Sequence, residues 1–146
     1  MNGPREPIMQ ALKAKLQTIS GFRTVSRRLR MFDEVPAAEM PALFIVEPAE
    51  TYVQGSEAVP EKTTLDVELW IYICDGKDNH TEPVSVLNGL LDDIDAALRP
   101  PGPPYKPIQN LGGLVSHCWI EGQVEKTPGD IDGIGLARIP LKILVP

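Results

Sequence analysis

The segment TTLDVELWIYIC, residues 63–74, constrains the fold more than any other part of the chain. Apolar side chains occupy every second position, which is the period of a β-strand with one buried face. The other face begins polar, with Asp66 and Glu68, and ends aromatic, with Trp70 and Tyr72. Large aromatic side chains in a row need cover. The pattern therefore predicts a strand whose second face is covered at one end by another element or another subunit.

The remaining elements follow from the same two periodicities. Apolar residues at helical spacing predict two helices, over residues 7–20 and from residues 82–83 to just before Pro100. Pro140 predicts a bulge or a sheet edge in the last strand. Besides the strand above, further strands are expected at residues 22–32, 42–46, 111–122 and 133–145. The order α-β-β-β-α-β-β has no regular strand–helix alternation, so we expect an α+β fold: an antiparallel or mixed sheet of about five strands, with both helices packed on one face.

The length of 146 residues predicts one domain, residues 1–146, that buries its own core. Residues 47–62 are polar and show no sustained period, so they are expected to form a long exposed loop, with room for a short hairpin arm at residues 51–54. The chain has 15 prolines, roughly twice average usage. Their cluster at residues 100–107 predicts an extended, polyproline-like connection.

Charge and composition argue against several classes of protein. The net charge of −6 argues against a general phosphate-binding surface, which would need clustered Lys and Arg. No segment resembles a signal peptide or a membrane span, so we expect a soluble protein that is made in the cytoplasm and does not contact membranes. The two cysteines, Cys74 and Cys118, are expected to be free buried thiols.

The sequence LVSHCWIEG places a histidine beside a cysteine, which raises the question of a reactive or metal site. Neighbouring strand residues point to opposite faces of a sheet, so His117 and Cys118 cannot reach one metal ion or substrate atom. No metal-ligand spacing occurs elsewhere. We therefore expect no catalytic residue, no metal and no cofactor, and we expect the protein not to be an enzyme. Cys118 should fill the core, while His117 and Trp119 should form a surface covered by a neighbouring subunit or loop.

The segment SRRLR is a basic stretch in an acidic chain. On a strand, Arg28 and Arg30 would share one face. Three interpretations stay open: an edge strand charged against aggregation, a docking surface for an acidic neighbour such as the residue 47–61 loop of another copy, or a nucleic-acid contact. The full set of candidate interaction residues is Arg28, Arg30, Glu50, Glu57, Trp70, Tyr72, His117 and Trp119.

Several blocks, in this order, resemble one known family. They are VSRRLRMFDEVPAAEMPALFIVEP, LDVELWIYI, VLNGLLDDIDAAL, LGGLVSHCWIEG and IPLKILVP. Together they resemble the tail terminator proteins of long-tailed bacteriophages, the family that includes the minor tail protein U type. The resemblance implies an α/β protomer that assembles into a homo-hexameric ring at the head-proximal end of the tail tube. Such a ring stops tube polymerisation and offers a docking surface to the head.

The resemblance also implies a set of partners and a location. The partners would be further copies of the chain, the tail tube protein and the head-tail connector or stopper protein, while DNA would pass through the ring without specific binding. The location would be the neck region of the virion tail, after assembly in the host cytoplasm. In a head-to-tail ring, Arg28 and Arg30 of one subunit could meet Glu50 and Glu57 of the next. Alternatives are another head-tail joining or tail-completion neck protein, a cytoplasmic adaptor module, or a small metal-dependent or cysteine enzyme.

Overall fold

The computed structural model describes residues 4–56, 61–74, 82–100, 108–128 and 134–146. These residues form two α-helices, six strands and two short 3₁₀ turns, Phe32–Glu34 and Ala37–Glu39. In chain order the helices and strands are α1 (Arg5–Gln17), β1 (Thr24–Ser26), β2 (Ala42–Val53), β3 (Lys62–Cys74), α2 (Pro83–Ala97), β4 (His117–Ile120), β5 (Glu125–Thr127) and β6 (Ile134–Val145). The predicted order is confirmed, with β5 as an additional strand.

The six strands form one mixed sheet. Its order is β1-β2-β3-β6-β4, and β5 also pairs with β6. β1 runs parallel to β2, whereas every other pairing is antiparallel. β3 lies in the middle of the sheet and pairs along most of its length with both β2 and β6. The α+β class and the mixed sheet are therefore as expected.

The main core lies between the two helices and one face of the sheet. The alternation in β3 is confirmed, since its five apolar residues on that face are each at most 3% exposed: Leu65, Val67, Leu69, Ile71 and Ile73. They belong to one cluster with buried residues of β6, α1 and α2, including Ile139, Leu12 and Ile94. Burying one such side chain stabilises the fold by about 1.5–3 kcal/mol. Both helices consequently pack on the same face.

β2 is longer than predicted, and it replaces much of the loop expected at residues 47–62. The strand continues to Val53, so the loop prediction was wrong for its first seven residues. β3 supplies backbone partners to this part of β2, which allows a polar segment to form a strand without burying its side chains. A register shift between Val46 and Ala49 adds one residue to β2 at this point, and this bulge turns Glu50 towards the helix side, opposite Leu65.

The strand predicted at residues 22–32 is reduced to Thr24–Ser26. The chain leaves the sheet after β1 because Arg27 is held by two carboxylates from other elements. Its guanidinium lies 2.7 Å from Glu6 in α1 and 2.9 Å from Glu47 in β2. Arg28 and Arg30 therefore do not form the basic ladder on a strand face that the sequence suggested.

A second, smaller core lies on the sheet face that the helices leave free. Residues 29–40 fold over the end of this face and cover Tyr72, which is 2% exposed. The Tyr72 hydroxyl donates a hydrogen bond to the Arg30 carbonyl at 2.7 Å, and its ring meets the Phe32 ring edge-on at 5.4 Å between centroids. The cover predicted for Tyr72 is thus part of the same chain. This finding corrects the assignment of Tyr72 to an intersubunit surface.

The C-terminal half of the sheet differs from prediction in two places. The strand expected at residues 111–122 is limited to His117–Ile120, and Glu125–Thr127, between the last two predicted strands, forms β5. Pro140 causes no bulge, because β6 keeps its register with β3 through this residue. The Glu121 N–H donates to the Pro140 carbonyl. Because the nitrogen and carbonyl of one strand residue point to the same side, the Pro140 nitrogen also faces the gap between β4 and β5, where the missing N–H leaves no strand pairing incomplete.

A pair of glycines tests how tightly the core is packed. A Cβ on Gly135 in β6 would lie 2.6 Å from Ile73 Cγ1, whereas a Cβ on Gly89 in α2 would have no heavy atom within 4 Å. We expect Gly135→Ala to lower the free energy of unfolding by about 1–3 kcal/mol through overpacking. Gly89→Ala should raise it by roughly 0.5–1 kcal/mol, because alanine is the better helix former. Urea denaturation of both variants measures the difference, and equal midpoints would contradict this account of the core.

Candidate functional site

The sheet face opposite the helices is the most distinctive surface of the described chain. Residues 29–40 cover the end of this face near Tyr72. Cross-strand pairing puts seven side chains from three strands on this face, which we call the open face: Asp66, Glu68 and Trp70 of β3, Arg138 and Lys142 of β6, and His117 and Trp119 of β4. The open face is therefore a row of aromatic and charged groups on a rigid sheet.

Trp70 lies at the centre of the first group on the open face. Its indole N–H donates to Glu68 at 2.8 Å, and the guanidinium of Arg138 lies over its ring, 4.8 Å from the centroid. Arg138 also forms ion pairs with Glu68 at 3.2 Å and with Glu125 of β5 at 3.5 Å. The ring is therefore fixed on two sides, by a charged hydrogen bond and by a cation–π contact.

His117 and Trp119 form the second group, near the β4 edge. Their rings are stacked, with centroids 4.9 Å apart and planes inclined by 12°. His117 Nδ1 accepts a hydrogen bond from the Gln109 backbone N–H at 3.1 Å, which places the proton of the neutral ring on Nε2. Trp119 stands beside Lys142, whose ammonium contacts Asp66 at 2.6 Å. Both rings are half-buried.

Of the residues singled out in the sequence, the fold brings Trp70, His117 and Trp119 onto one surface. The basic candidates lie elsewhere. Arg30 pairs with Glu39 at 3.2 Å and lies 5.7 Å from the centroid of the Phe44 ring, while Arg28 is exposed just after β1. Glu57 lies outside the described residues.

Glu50 is not free to receive a neighbour's arginine. It lies on the helix side of β2 and accepts two hydrogen bonds from the Arg5 guanidinium, one of them 2.8 Å long. The hydrogen bonds from Arg5 hold the pKa of the Glu50 carboxyl below its ordinary value. Arg5 also donates to the Tyr52 hydroxyl at 2.6 Å. The predicted contact between Arg28 or Arg30 and Glu50 would have to break this intrachain group.

Sequence reasoning missed the charged residues that organise the open face. Arg138 and Lys142 lie in GIGLARIPLKILV at positions that alternate with the core residues of β6. The parity that identified the core of β6 was therefore a signal that could have shown these two side chains to face away from it. Their pairing with Glu68 and Asp66 depends on the antiparallel register of β3 and β6, which no local pattern contains.

The suspected His–Cys pair is separated as predicted. Cys118 is 1% exposed in the main core, whereas His117 lies on the open face. Burial raises the pKa of the Cys118 thiol to about 12. Cys74, at the end of β3, is exposed, which corrects the expectation that both thiols are buried. Among the described residues, no group of three or more His, Cys, Asp or Glu side chains could hold a metal ion.

Neither helix in the described ranges is both long and apolar enough to cross a membrane. No protein-family model and no curated protein matches the sequence. A search of solved structures finds a similar fold in a chain of the "Virion of native gene transfer agent (GTA) particle". The match has a TM-score of 0.50 at 10% sequence identity, and it covers 94% of this chain and 90% of that chain. At this identity the match establishes a shared fold that extends over nearly the whole of both chains.

The two thiols should differ sharply in reactivity. At pH 8 a disulfide reagent should modify one thiol per folded chain, because Cys74 is exposed whereas Cys118 is buried and protonated. Cys74→Ser should abolish this modification, and both thiols of the parent chain should react in denaturant. Rapid modification of the folded Cys74→Ser variant would contradict the buried position of Cys118.

Proposed function

We propose that this chain is a structural protein of a phage-like virion, and that its role is that of a tail terminator. The observation that carries the proposal is the fold shared with a chain of a gene transfer agent virion over nearly the full length of both chains. Coverage of that extent means that the whole domain, and not a common substructure, is the unit of similarity. The ordered sequence blocks that resemble tail terminators support the finer assignment.

In this proposal the chain forms a homo-hexameric ring at the head-proximal end of the tail tube. The ring stops tube polymerisation and presents its other side to the head-tail connector or stopper protein. The net charge of −6 suits a ring through which DNA slides, since it offers few cations for phosphates to bind. Localisation in the neck of the virion and the absence of catalysis are parts of the same proposal.

The open face is the surface we assign to the tail tube protein. Aromatic residues and arginine are enriched at protein interfaces, and the open face presents Trp70, Trp119 and Arg138 on a rigid sheet. The charged groups around these aromatic rings are already paired within the chain, as in the contact between Lys142 and Asp66. A partner can therefore cover the rings without leaving an unpaired buried charge.

Another head-tail joining or tail-completion protein is the second candidate, because the shared fold belongs to a virion chain whose position in the particle the match does not specify. The two roles predict different binding partners. A terminator binds the end of a tube, whereas a neck protein on the head side binds the connector and leaves tubes uncapped.

Electron microscopy of the purified chain with its tail tube protein tests the proposed function. We expect rings at one end of each tube and tubes that no longer lengthen once capped. The chain alone and the tube protein alone are the controls. A chain that stays monomeric and leaves tube growth unchanged would refute the terminator role, and binding to the connector alone would favour the second candidate.

Trp119 tests the part played by the open face. Truncation of an aromatic anchor at an interface typically costs 2 kcal/mol or more of binding, so Trp119→Ala should weaken tube capping by roughly 30-fold or more. Its effect on the free energy of unfolding should be smaller, about 1 kcal/mol, because the ring is only half-buried. Capping titrations and thermal melts give the two quantities.

Tyr52→Ala is the matched control for this experiment. Tyr52 is an exposed aromatic residue of β2 that lies on the helix side of the sheet, beside Arg5. Its truncation should leave capping unchanged. A larger loss of fold stability than of capping in Trp119→Ala would instead assign Trp119 to the core.

A further inference from the structure

A groove of about 610 Å³ lies on the helix side of the molecule, between α2 and the end of the sheet formed by β4 and β5. Its floor is apolar and includes three half-buried side chains, Leu91, Ile120 and Val124. Its α2 wall carries two exposed carboxylates, Asp92 and Asp95. A group that fills this groove must therefore offer both an apolar surface and a positive charge.

The carboxylates of the groove are available for a partner. Neither the Asp92 nor the Asp95 side chain takes part in a hydrogen bond or an ion pair with another described residue. Lys126, the cation that also lines the groove, has its ammonium turned to the side-chain oxygen of Asn88 at 3.1 Å. The acidic wall is thus not neutralised by contacts among the described residues.

The opposite edge of the same molecule carries a complementary group. Arg28 is exposed two residues after β1, and β1 is the edge strand at the far end of the sheet from β4 and β5. The neighbouring arginines are engaged, Arg27 with Glu6 and Arg30 with Glu39. The Arg28 side chain has no such contact with a described residue. Its backbone N–H bonds to the Ser26 hydroxyl, which helps to hold the segment in place.

We propose that Arg28 of one subunit inserts into the groove of the next subunit and pairs with Asp92 and Asp95. This inference rests on the ring of the proposed function, because a closed ring requires two different, complementary surfaces on opposite sides of one protomer. The strand order supplies that geometry, with Arg28 at the β1 edge and the groove at the β4 and β5 edge. In this proposal Asp92 and Asp95 take the place of Glu50 as the acceptors for the basic segment, because Glu50 is already paired with Arg5.

Arginine satisfies both requirements of the groove. Its methylene stem can lie on Leu91, Ile120 and Val124 while its planar guanidinium reaches the carboxylates of the wall. The guanidinium presents several N–H groups in a fixed fork, which suits two acceptors one helical turn apart. Asp92 and Asp95 are three residues apart on α2 and so lie on the same side of the helix.

Charge reversal and mixing test the proposal on the full chain. We expect Arg28→Glu, and separately Asp92→Lys combined with Asp95→Lys, to raise the concentration needed for ring assembly by about tenfold or more, measured by mass photometry with and without tail tubes. A mixture of the two variants should recover assembly, because alternating subunits restore an attractive pair at every boundary. Circular dichroism melts establish that each variant is folded.

Asp93→Lys is the matched control. Asp93 is an exposed carboxylate on the same helix, but it lies on the side of α2 next to Gly21 and does not line the groove. The control should assemble like the parent chain. If the parent assembles and both charge-reversed variants assemble equally well, the Arg28 contact is wrong and the proposed function stands. If the parent never self-associates or caps tubes, the proposed function fails and this contact fails with it.

Disulfide trapping gives a second measurement that does not depend on affinity. In a Cys74→Ser background, Arg28→Cys combined with Asp95→Cys should produce a ladder of covalent dimers and larger species on mild oxidation. An intrachain bond is excluded because the two positions lie at opposite edges of the sheet, beyond the reach of a disulfide. Arg28→Cys with Asp93→Cys should yield little of the ladder. An equally strong ladder from both pairs, or none from the first under conditions where rings form, would overturn the proposal.

Discussion

The two faces of β3 are the constraint on which the rest of the structure depends. One face is continuously apolar, and it holds both helices against the sheet. The other face is apolar only near Tyr72, and there the chain folds residues 29–40 back over it. Because a one-residue slip of register would exchange these faces, the alternation in β3 also determines which residues of β2 and β6 are exposed. The open face is what remains once both apolar surfaces are covered.

The bulge in β2 modifies this arrangement locally. Before the bulge, odd-numbered residues such as Ile45 face the helices; after it, even-numbered residues such as Glu50 do. The change brings Glu50 within reach of Arg5 at the start of α1, while Glu47, within the bulge, pairs with Arg27. Exposed ion pairs of this kind contribute little to the free energy of unfolding, because solvent screens the charges and the side chains lose conformational freedom. Their role is therefore mainly to position α1 and the segment after β1 relative to the sheet.

The fold was predictable where a local period reports burial, as along β3, β6 and the two helices. It was not predictable where contacts between distant residues decide the backbone path. SRRLR alternates like a strand, yet Arg27 is bound by Glu6 and Glu47, about 20 residues away on either side, and the chain turns out of the sheet. β2 continued through a polar segment because β3 supplied its backbone partners. Parity alone placed Trp70, His117 and Trp119 outside the main core, but only the strand order places them on one surface.

Of the neighbouring arginines Arg27, Arg28 and Arg30, two form ion pairs within the chain, and Arg28 is the one we propose to contact another subunit. Arg27 forms ion pairs with both α1 and β2, and the Arg30 guanidinium lies over the Phe44 ring. Each is paired with one or more carboxylates of its own chain, so a contact with another subunit would have to compete with that pairing. Arg28 carries the same charge without such a commitment. In a protein with 20 acidic and 14 basic side chains, net repulsion between copies is the default, so the proposed pairing of Arg28 with the acidic groove would favour one relative orientation of two copies. The proposed ring requires a head-to-tail contact of this kind, whereas a contact between two like edges would give only a closed pair of subunits.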